Sequence, residues 1–371
     1  MKRLLLSLIL CALWVSAPDV SAAAKTKIAL MAGKQGHGLG SHEWNSAAAL
    51  IERYLERAYP NVDCVPYYHQ EWPSDLSELA DATAIIVIDR GGGGHPVVKR
   101  LQEFKALMDK GIGFACLHYA VEIPQGDPGD AFKDWLGGHF ETFWSVNPHW
   151  VAEFKSFPDH PIARGVKPFE IKDEWYFHMR FRDGMKGITP ILSAVAPAET
   201  MKRGDGPHHG NPHVRQSVAN GEPQHLAWAT ERDNGARGFG FTGMHANANW
   251  MHDDFRKVIL NGIAWTAKLE IPNGGIESER PTKEALTALA KKFQDGFGKA
   301  DYVEQKTDDP QLKPTYESAV LTATSKSRFV EIDVPLKTRK LYLAVSDEGS
   351  RSCDWADWID PRFVLADGGV S

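Results

Sequence analysis

Between residues 27 and 269, short apolar runs alternate with longer stretches whose apolar side chains recur at helical spacing. Such a run is satisfied when other layers cover both of its faces, and the helical stretch that follows it supplies the cover. The alternation therefore predicts an α/β fold with a doubly wound, mostly parallel sheet. The first unit is KIALMA at 27–32 followed by a helix over 41–57, with Ala47, Leu50, Ile51, Tyr54 and Leu55 on one face. Strands are expected at 62–67, 84–89 and 112–117. A helix over 96–110 opens on Pro96, whose missing N–H costs nothing in a first turn. Further strands are expected at 150–154, 175–181, 225–229 and 239–242, followed by a helix over 253–267.

The two ends differ from this pattern. Residues 1–23 carry Lys2 and Arg3, an apolar run over 4–15, and Ser21, Ala22 and Ala23, the three parts of a cleavable signal peptide. A periplasmic or secreted location is expected. The run is too short to span a bilayer as a helix, no later segment is apolar for long enough, and Cys11 follows Leu10 where a lipoprotein would place a small residue. No membrane span is expected. After the main domain at 24–271, a polar connector with one amphipathic helix over 283–293 occupies 272–315. Strand-like segments at 319–323, 329–334, 340–345 and 362–365 form a partial β-rich module over 316–371.

A net charge of −6 without a polycationic surface excludes nucleic acid as the expected partner. No pattern sets the oligomeric state. Cleavage leaves Cys64, Cys116 and Cys353, odd in number and widely spaced, which is no disulfide framework and no zinc knuckle. The 15 His, 12 Trp and 33 Gly direct attention to a site where imidazoles do chemistry and backbone comes close to a ligand.

In an open parallel sheet, ligands bind beyond the carboxyl ends of the strands. Polar residues collect there. His37, His42 and Trp44 follow the first strand; Arg90, a glycine run at 91–94 and His95 follow the third; His118 and Tyr119 follow the fourth; His245 and Trp250 follow the last. The glycine runs match neither of the familiar phosphate-binding spacings and serve equally as tight turns. Cys116 occupies a position like that of the catalytic cysteine in class I glutamine amidotransferases, but it falls inside the apolar strand, where a thiol is a poor nucleophile. His118 stands where the strand emerges. His208, His209 and His213 are expected at the surface or rim, and Asp159-His160-Pro161 is expected to be a turn capped by its acid.

The stretches 36–44, 111–120, 135–150 (WLGGHFETFWSVNPHW), 159–166 (DHPIARGV), 173–181 (DEWYFHMRF) and 238–265 together resemble the ThuA-like, or trehalose-utilisation-like, family over roughly residues 27–269. The resemblance implies a flavodoxin-type, class I glutamine amidotransferase-like fold without the amidotransferase triad, and a link to sugar catabolism. It places His118, His139, Glu174 and His245 on polar positions of the family pattern, with His37, His42 and Tyr176 close by. The stretch 341–360 is similar to part of an NPCBM-like carbohydrate-associated module, with Trp355 and Trp358 as packing residues.

The expectation from sequence is thus an exported carbohydrate-processing enzyme acting on a sugar or glycoside, including an oxidised (keto) one, by histidine and carboxylate acid–base chemistry. His118, Glu174 and His245 are the catalytic candidates. His37, His42, Trp44, Arg90, His139 and Tyr176 are the substrate-binding candidates. The same residue types can hold a divalent metal such as zinc, and spacing alone does not decide between the two. The competing readings are a non-catalytic sugar-binding accessory protein and a metal-dependent hydrolase.

Overall fold

In the computed structural model, residues 26–297 and 299 are described, all within the unit Met1–Glu304. The expected signal peptide, the expected partial β-rich module, Cys353 and the stretch compared with an NPCBM-like module lie outside the described residues.

The chain opens with strand β1 (Thr26–Ala32), helix α1 (Trp44–Ala58), β2 (Val62–Tyr67) and β3 (Ala84–Ile88). It continues through α2 (Pro96–Lys99), α3 (Leu101–Asp109), β4 (Gly113–Leu117), α4 (Asp127–Trp135) and the short β5 (Gly138–His139). Next come β6 (His149–Phe154), β7 (Phe169–Glu174), β8 (Arg180–Phe181), β9 (Ile188–Val195) and α5 (Pro212–Ala219). The last elements are β10 (Pro223–Glu231), β11 (Arg237–Phe241), α6 (Asp253–Thr266) and α7 (Lys283–Gln294). The main sheet has the order β2-β1-β3-β4-β11-β10-β9. Neighbours from β2 to β11 run parallel, and β10 and β9 close one edge antiparallel. The parallel part has the flavodoxin-like order, in which the chain reverses direction across the sheet between β1 and β3 and a crevice opens at the carboxyl ends there.

Both faces are covered, as the continuous apolar strands require. Leu50 and Ile51 of α1, Ile259 and Ile263 of α6 and Leu286 of α7 pack on one face. Phe104 and Leu107 of α3 and Phe132 of α4 pack on the other. The helix expected within the connector is therefore part of this body: Leu286, Ala290 and Phe293 are buried, and the Tyr54 hydroxyl donates to the Glu279 carbonyl at 2.9 Å.

Several expectations are corrected. Residues 175–181 do not form one strand: the strand ends at Glu174 and pairs with β6 as a hairpin, and within the expected stretch only Arg180–Phe181 is a strand, paired with Gly138–His139. The helix expected over 96–110 breaks at Arg100, whose φ is −128° and whose guanidinium donates to the carbonyls of Pro73 and Ser74. Helix α1 begins at Trp44 because His42 adopts φ 52°. β9 gave no clear strand signal because Pro190 interrupts it, which an edge strand tolerates. The turn at 159–161 is capped by the His160 imidazole, which accepts from Ile162 N–H at 3.2 Å, and not by Asp159.

Two measurements test this packing. A Cβ on Gly113 would lie 2.3 Å from the Thr266 carbonyl oxygen, backbone against backbone in the centre of the sheet. Gly113→Ala is expected to lower stability by about 1–3 kcal/mol in denaturant unfolding, and an unchanged midpoint would contradict the packing. Burial lowers His95 to about 3, and burial, with Arg237 and Arg164 nearby, lowers His160 to about 4. Both rings are neutral when folded and take up protons when unfolded below about 6.5, so stability is full above that pH and declines as pH falls toward 4. His160→Asn keeps a capping acceptor and should flatten the dependence of melting temperature on pH between 6.5 and 4.

Candidate functional site

Each parallel strand delivers its following loop to the same edge. His42 comes from the loop after β1, His118 stands directly after β4, and His245 lies in the loop after β11. Glu174 closes the site from the end of β7. The first and last of these loops are joined through their backbones: His42 N–H donates to the His245 carbonyl at 3.0 Å and Asn247 N–H to the Gly40 carbonyl at 2.9 Å.

The result is one compact centre, in which one ligand-type atom from each of His42, His118, Glu174 and His245 lies within 4.8 Å of all the others. His42 Nε2 is 3.0 Å from His118 Nε2 and 2.9 Å from His245 Nδ1. Glu174 Oε2 is 2.9 Å from His245 Nδ1, 3.5 Å from His118 Nε2 and 3.9 Å from His42 Nε2. The Tyr176 hydroxyl lies 3.5 Å from both His118 Nε2 and Glu174 Oε2. Three imidazoles and one carboxylate can hold a metal ion.

The ring protons define the chemistry. A carbonyl only accepts, so the 2.9 Å contact of His118 Nδ1 with the Thr242 oxygen places a proton on Nδ1 and leaves Nε2 of the neutral ring as a bare lone pair. If His42 Nε2 donates to that lone pair, His245 Nδ1 must accept from His42 and then turns a lone pair toward Glu174. If His245 donates to Glu174, it meets the His42 proton or leaves His42 facing His118 with two lone pairs. With three neutral rings every placement sets two donors or two acceptors against each other. Either an extra proton on His118 or a cation at the centre removes the conflict.

The electrostatics agree. Burial raises the Glu174 carboxyl, but the neighbouring His118, His245 and His42 more than reverse this and hold it well below the usual carboxylate range. Burial pushes His42 down to about 3, against the pull of Glu174 and with the neighbouring histidines adding to the shift, so this ring is neutral at physiological pH. Burial first, then the Glu174 charge, raises the Tyr176 phenol well above its ordinary value, so it stays a hydroxyl. The backbone is strained at the same residues: His42 has φ 52°, His118 φ 54°, and Met244, the residue before His245, φ 92°. Such conformations persist where surrounding contacts over-determine them and concentrate at functional sites.

At Met244 those contacts come from Asp173, which sequence reasoning passed over. Its buried carboxylate accepts from the backbone N–H groups of Glu174 (2.8 Å), Met244 (2.7 Å), His245 (3.1 Å) and Ala246 (3.2 Å), and from the Asn249 amide at 2.9 Å. Asn147 was missed as well: its amide donates to Glu174 Oε1 at 3.1 Å, which turns Oε2 toward the histidines. The adjacent acids at 173–174 were the available signal for the first, and none pointed to the second.

The remaining candidates divide. His37 packs against His42 with ring centroids 3.9 Å apart and ring planes tilted by 52°, and borders the centre. Trp44 is 2% exposed and backs the His42 ring at 5.2 Å. Tyr176 touches the centre, as above. Arg90 lies at the end of β3 with its side chain against Gly94, and among the described residues it makes no hydrogen bond to the centre. His139 is buried between Gly129 and its own strand, donating from Nδ1 to the Phe140 carbonyl at 3.0 Å, and does not join the four. Cys116 is fully buried and burial raises its thiol well above the ordinary value. His208 is half-buried, with Nε2 3.0 and 3.1 Å from the two oxygens of the buried Glu122, a hydrogen bond that raises its pKa.

Fold and site together define a doubly wound α/β protein with a centre of three histidines and one carboxylate at the carboxyl edge of its sheet. The chain belongs to the ThuA family, described as trehalose utilisation, whose family model matches residues 28–266. It is similar to the solved structure of a thua-like protein from Bacteroides uniformis, at 17% identity with a TM-score of 0.45, covering 68% of this chain and 95% of that one. It is also similar to one from Parabacteroides merdae, at 18% identity with a TM-score of 0.43, covering 70% and 94%. Comparison with curated proteins finds no match. Among the described residues, no helix is long and apolar enough to cross a membrane.

Asp173→Asn replaces an acceptor oxygen with a donor that faces N–H groups. It is expected to cost about 2–4 kcal/mol in denaturant unfolding; an unshifted midpoint would show that the loop at 244–246 is held by something else.

Proposed function

We propose that this chain is an exported carbohydrate-processing enzyme whose centre is a divalent-metal site formed by His42, His118, Glu174 and His245. The observation that carries this reading is the convergence of four ligand atoms on one point with more lone pairs than ring protons can serve. A proton bridges one pair of atoms, whereas a cation serves all four at once. Five of the six separations run from 2.9 to 3.9 Å, around the roughly 3.3 Å between ligands that bonds of about 2.0 Å give in a tetrahedral zinc site. The donor set of imidazoles with one carboxylate suits zinc and its neighbours in the first transition row better than calcium or magnesium.

A metal ion held there would act as a Lewis acid toward a sugar oxygen or lower the pKa of a water. The protein's own residues orient the group. Thr242 fixes the His118 tautomer through Nδ1, Asn147 fixes the Glu174 rotamer, and Asp173 fixes the backbone that carries Glu174 and His245. The neutral Tyr176 hydroxyl is placed to donate to an oxygen at the centre. Carbohydrate as the ligand is supported by the family description, and export by residues 1–23.

A second reading, acid–base catalysis without metal, is favoured by the 2.9 Å contact between Glu174 and His245, which is the most exposed of the three rings. Elemental analysis separates the two. The purified chain should carry about one equivalent of a transition metal, His118→Ala should reduce that content and abolish turnover in a screen of oxidised and unoxidised disaccharides, and chelation followed by metal should remove and restore it. Full turnover after complete chelation would leave the acid–base reading standing alone.

A further inference from the structure

Beside the centre lies a cleft of about 620 Å³ whose lining includes Glu174. Asn147, His149, Glu199, Lys202 and Arg203 line it as well. The size is that of a small-molecule site. Arg203 is the unusual residue in it. It is half-buried, yet among the described residues no acidic group lies within salt-bridge distance of it. Its Nη2 donates to Asn147 Oδ1 at 2.9 Å and to the His208 carbonyl at 3.3 Å, and its own carbonyl accepts from Arg215 at 2.7 Å. The guanidinium is therefore held in one orientation by neutral oxygens, while Nε and Nη1 have no partner among the described residues and are not among the sealed polar atoms.

An oriented, partly desolvated guanidinium without a counter-charge is costly unless something compensates it. Burial disfavours its charge, and the compensating charge within reach is Glu174. A divalent ion in the centre would consume that compensation, because two positive charges against one carboxylate and three neutral imidazoles leave the centre itself positive. Lys202 adds a further cation to the same lining and Glu199 one acid, so the loaded cleft carries net positive charge.

We propose that the cleft binds a carbohydrate bearing an anionic substituent, a carboxylate or a phosphate, with Arg203 as the residue that anchors it. This rests on the carbohydrate reading of the metal centre and adds the substrate class. Arg203 also links to the centre, since Asn147, which accepts from it, donates to Glu174. An anion on Arg203 thus holds the rest of the ligand in a cleft whose lining includes Glu174 of the centre.

Isothermal titration of the metal-loaded full chain tests this with glucuronate, glucose 6-phosphate, glucose and inorganic phosphate. At least one of the two anionic sugars should bind about tenfold more tightly than glucose, the factor that one charge-assisted hydrogen bond supplies, and which of them does so identifies the substituent. Arg203→Gln should erase that preference, read as the ratio of the two affinities in the same metal-loaded protein, and Arg203→Lys should retain part of it. Equal binding of glucose and the anionic sugars, or a preference that survives in Arg203→Gln, would overturn the anchor while leaving the carbohydrate reading intact. Inorganic phosphate binding as tightly as the sugar phosphate would overturn the carbohydrate reading and with it this substrate class. Absence of binding by every sugar would overturn both.

Discussion

The Asp173 carboxylate is the tie on which the site depends. It lies at the end of a hairpin that stands outside the main sheet, yet both of its oxygens are occupied by groups of the loop after β11 and by the backbone of the next residue. One buried charge therefore ties Glu174, at the end of the hairpin, to His245, in the loop that follows a strand of the main sheet. Buried carboxylates are stabilising only when their lone pairs are filled, and here the filling groups are the backbone that carries the site. The left-handed turn at Met244 is strained for a residue of that kind, and three bonds to neighbouring N–H groups hold it in place.

The rest of the centre follows from the topology. A parallel sheet with the flavodoxin-like order exposes the ends of β1, β4 and β11 to one crevice, so residues far apart in the chain reach a common point without long loops. Crowding three imidazoles and a carboxylate there creates a shortage of protons relative to lone pairs. That shortage, more than any single residue, is what a cation would relieve, and one extra proton would relieve it equally in kind, though not in geometry. The neighbouring cleft carries the opposite imbalance, a guanidinium with no acid of its own.

Part of the site was legible in the sequence. His118, Glu174 and His245 meet as expected, because each sits within a stretch whose family resemblance and position after a strand both point to the same edge. His42 joins them as a ligand-type group, where the sequence suggested contact with substrate. Trp44 and His139 turn inward: an indole two residues beyond His42 falls on the buried face of α1, and a histidine in a two-residue strand next to Gly129 is enclosed by its surroundings. Asp173 and Asn147 escaped notice because their roles consist of bonds to distant backbone and to another side chain, which leave no periodicity to read.

The sequence by itself determined the layered α/β architecture, since runs such as AIIVI admit no solvent on either face and the helical segments between them carry a single apolar stripe. It also determined that Cys116 is enclosed, by placing it within such a run, and that histidines follow the strands. The tertiary structure decided what those histidines do. Where α1 starts, where the aromatic run after Glu174 turns inward, and which atoms of four residues face one another all depend on contacts between segments as far apart as His42 and His245. The physical reason is that local propensity fixes the period of burial along a chain, whereas proton sharing at a centre depends on distances of a few tenths of an ångström that only the assembled sheet edge sets.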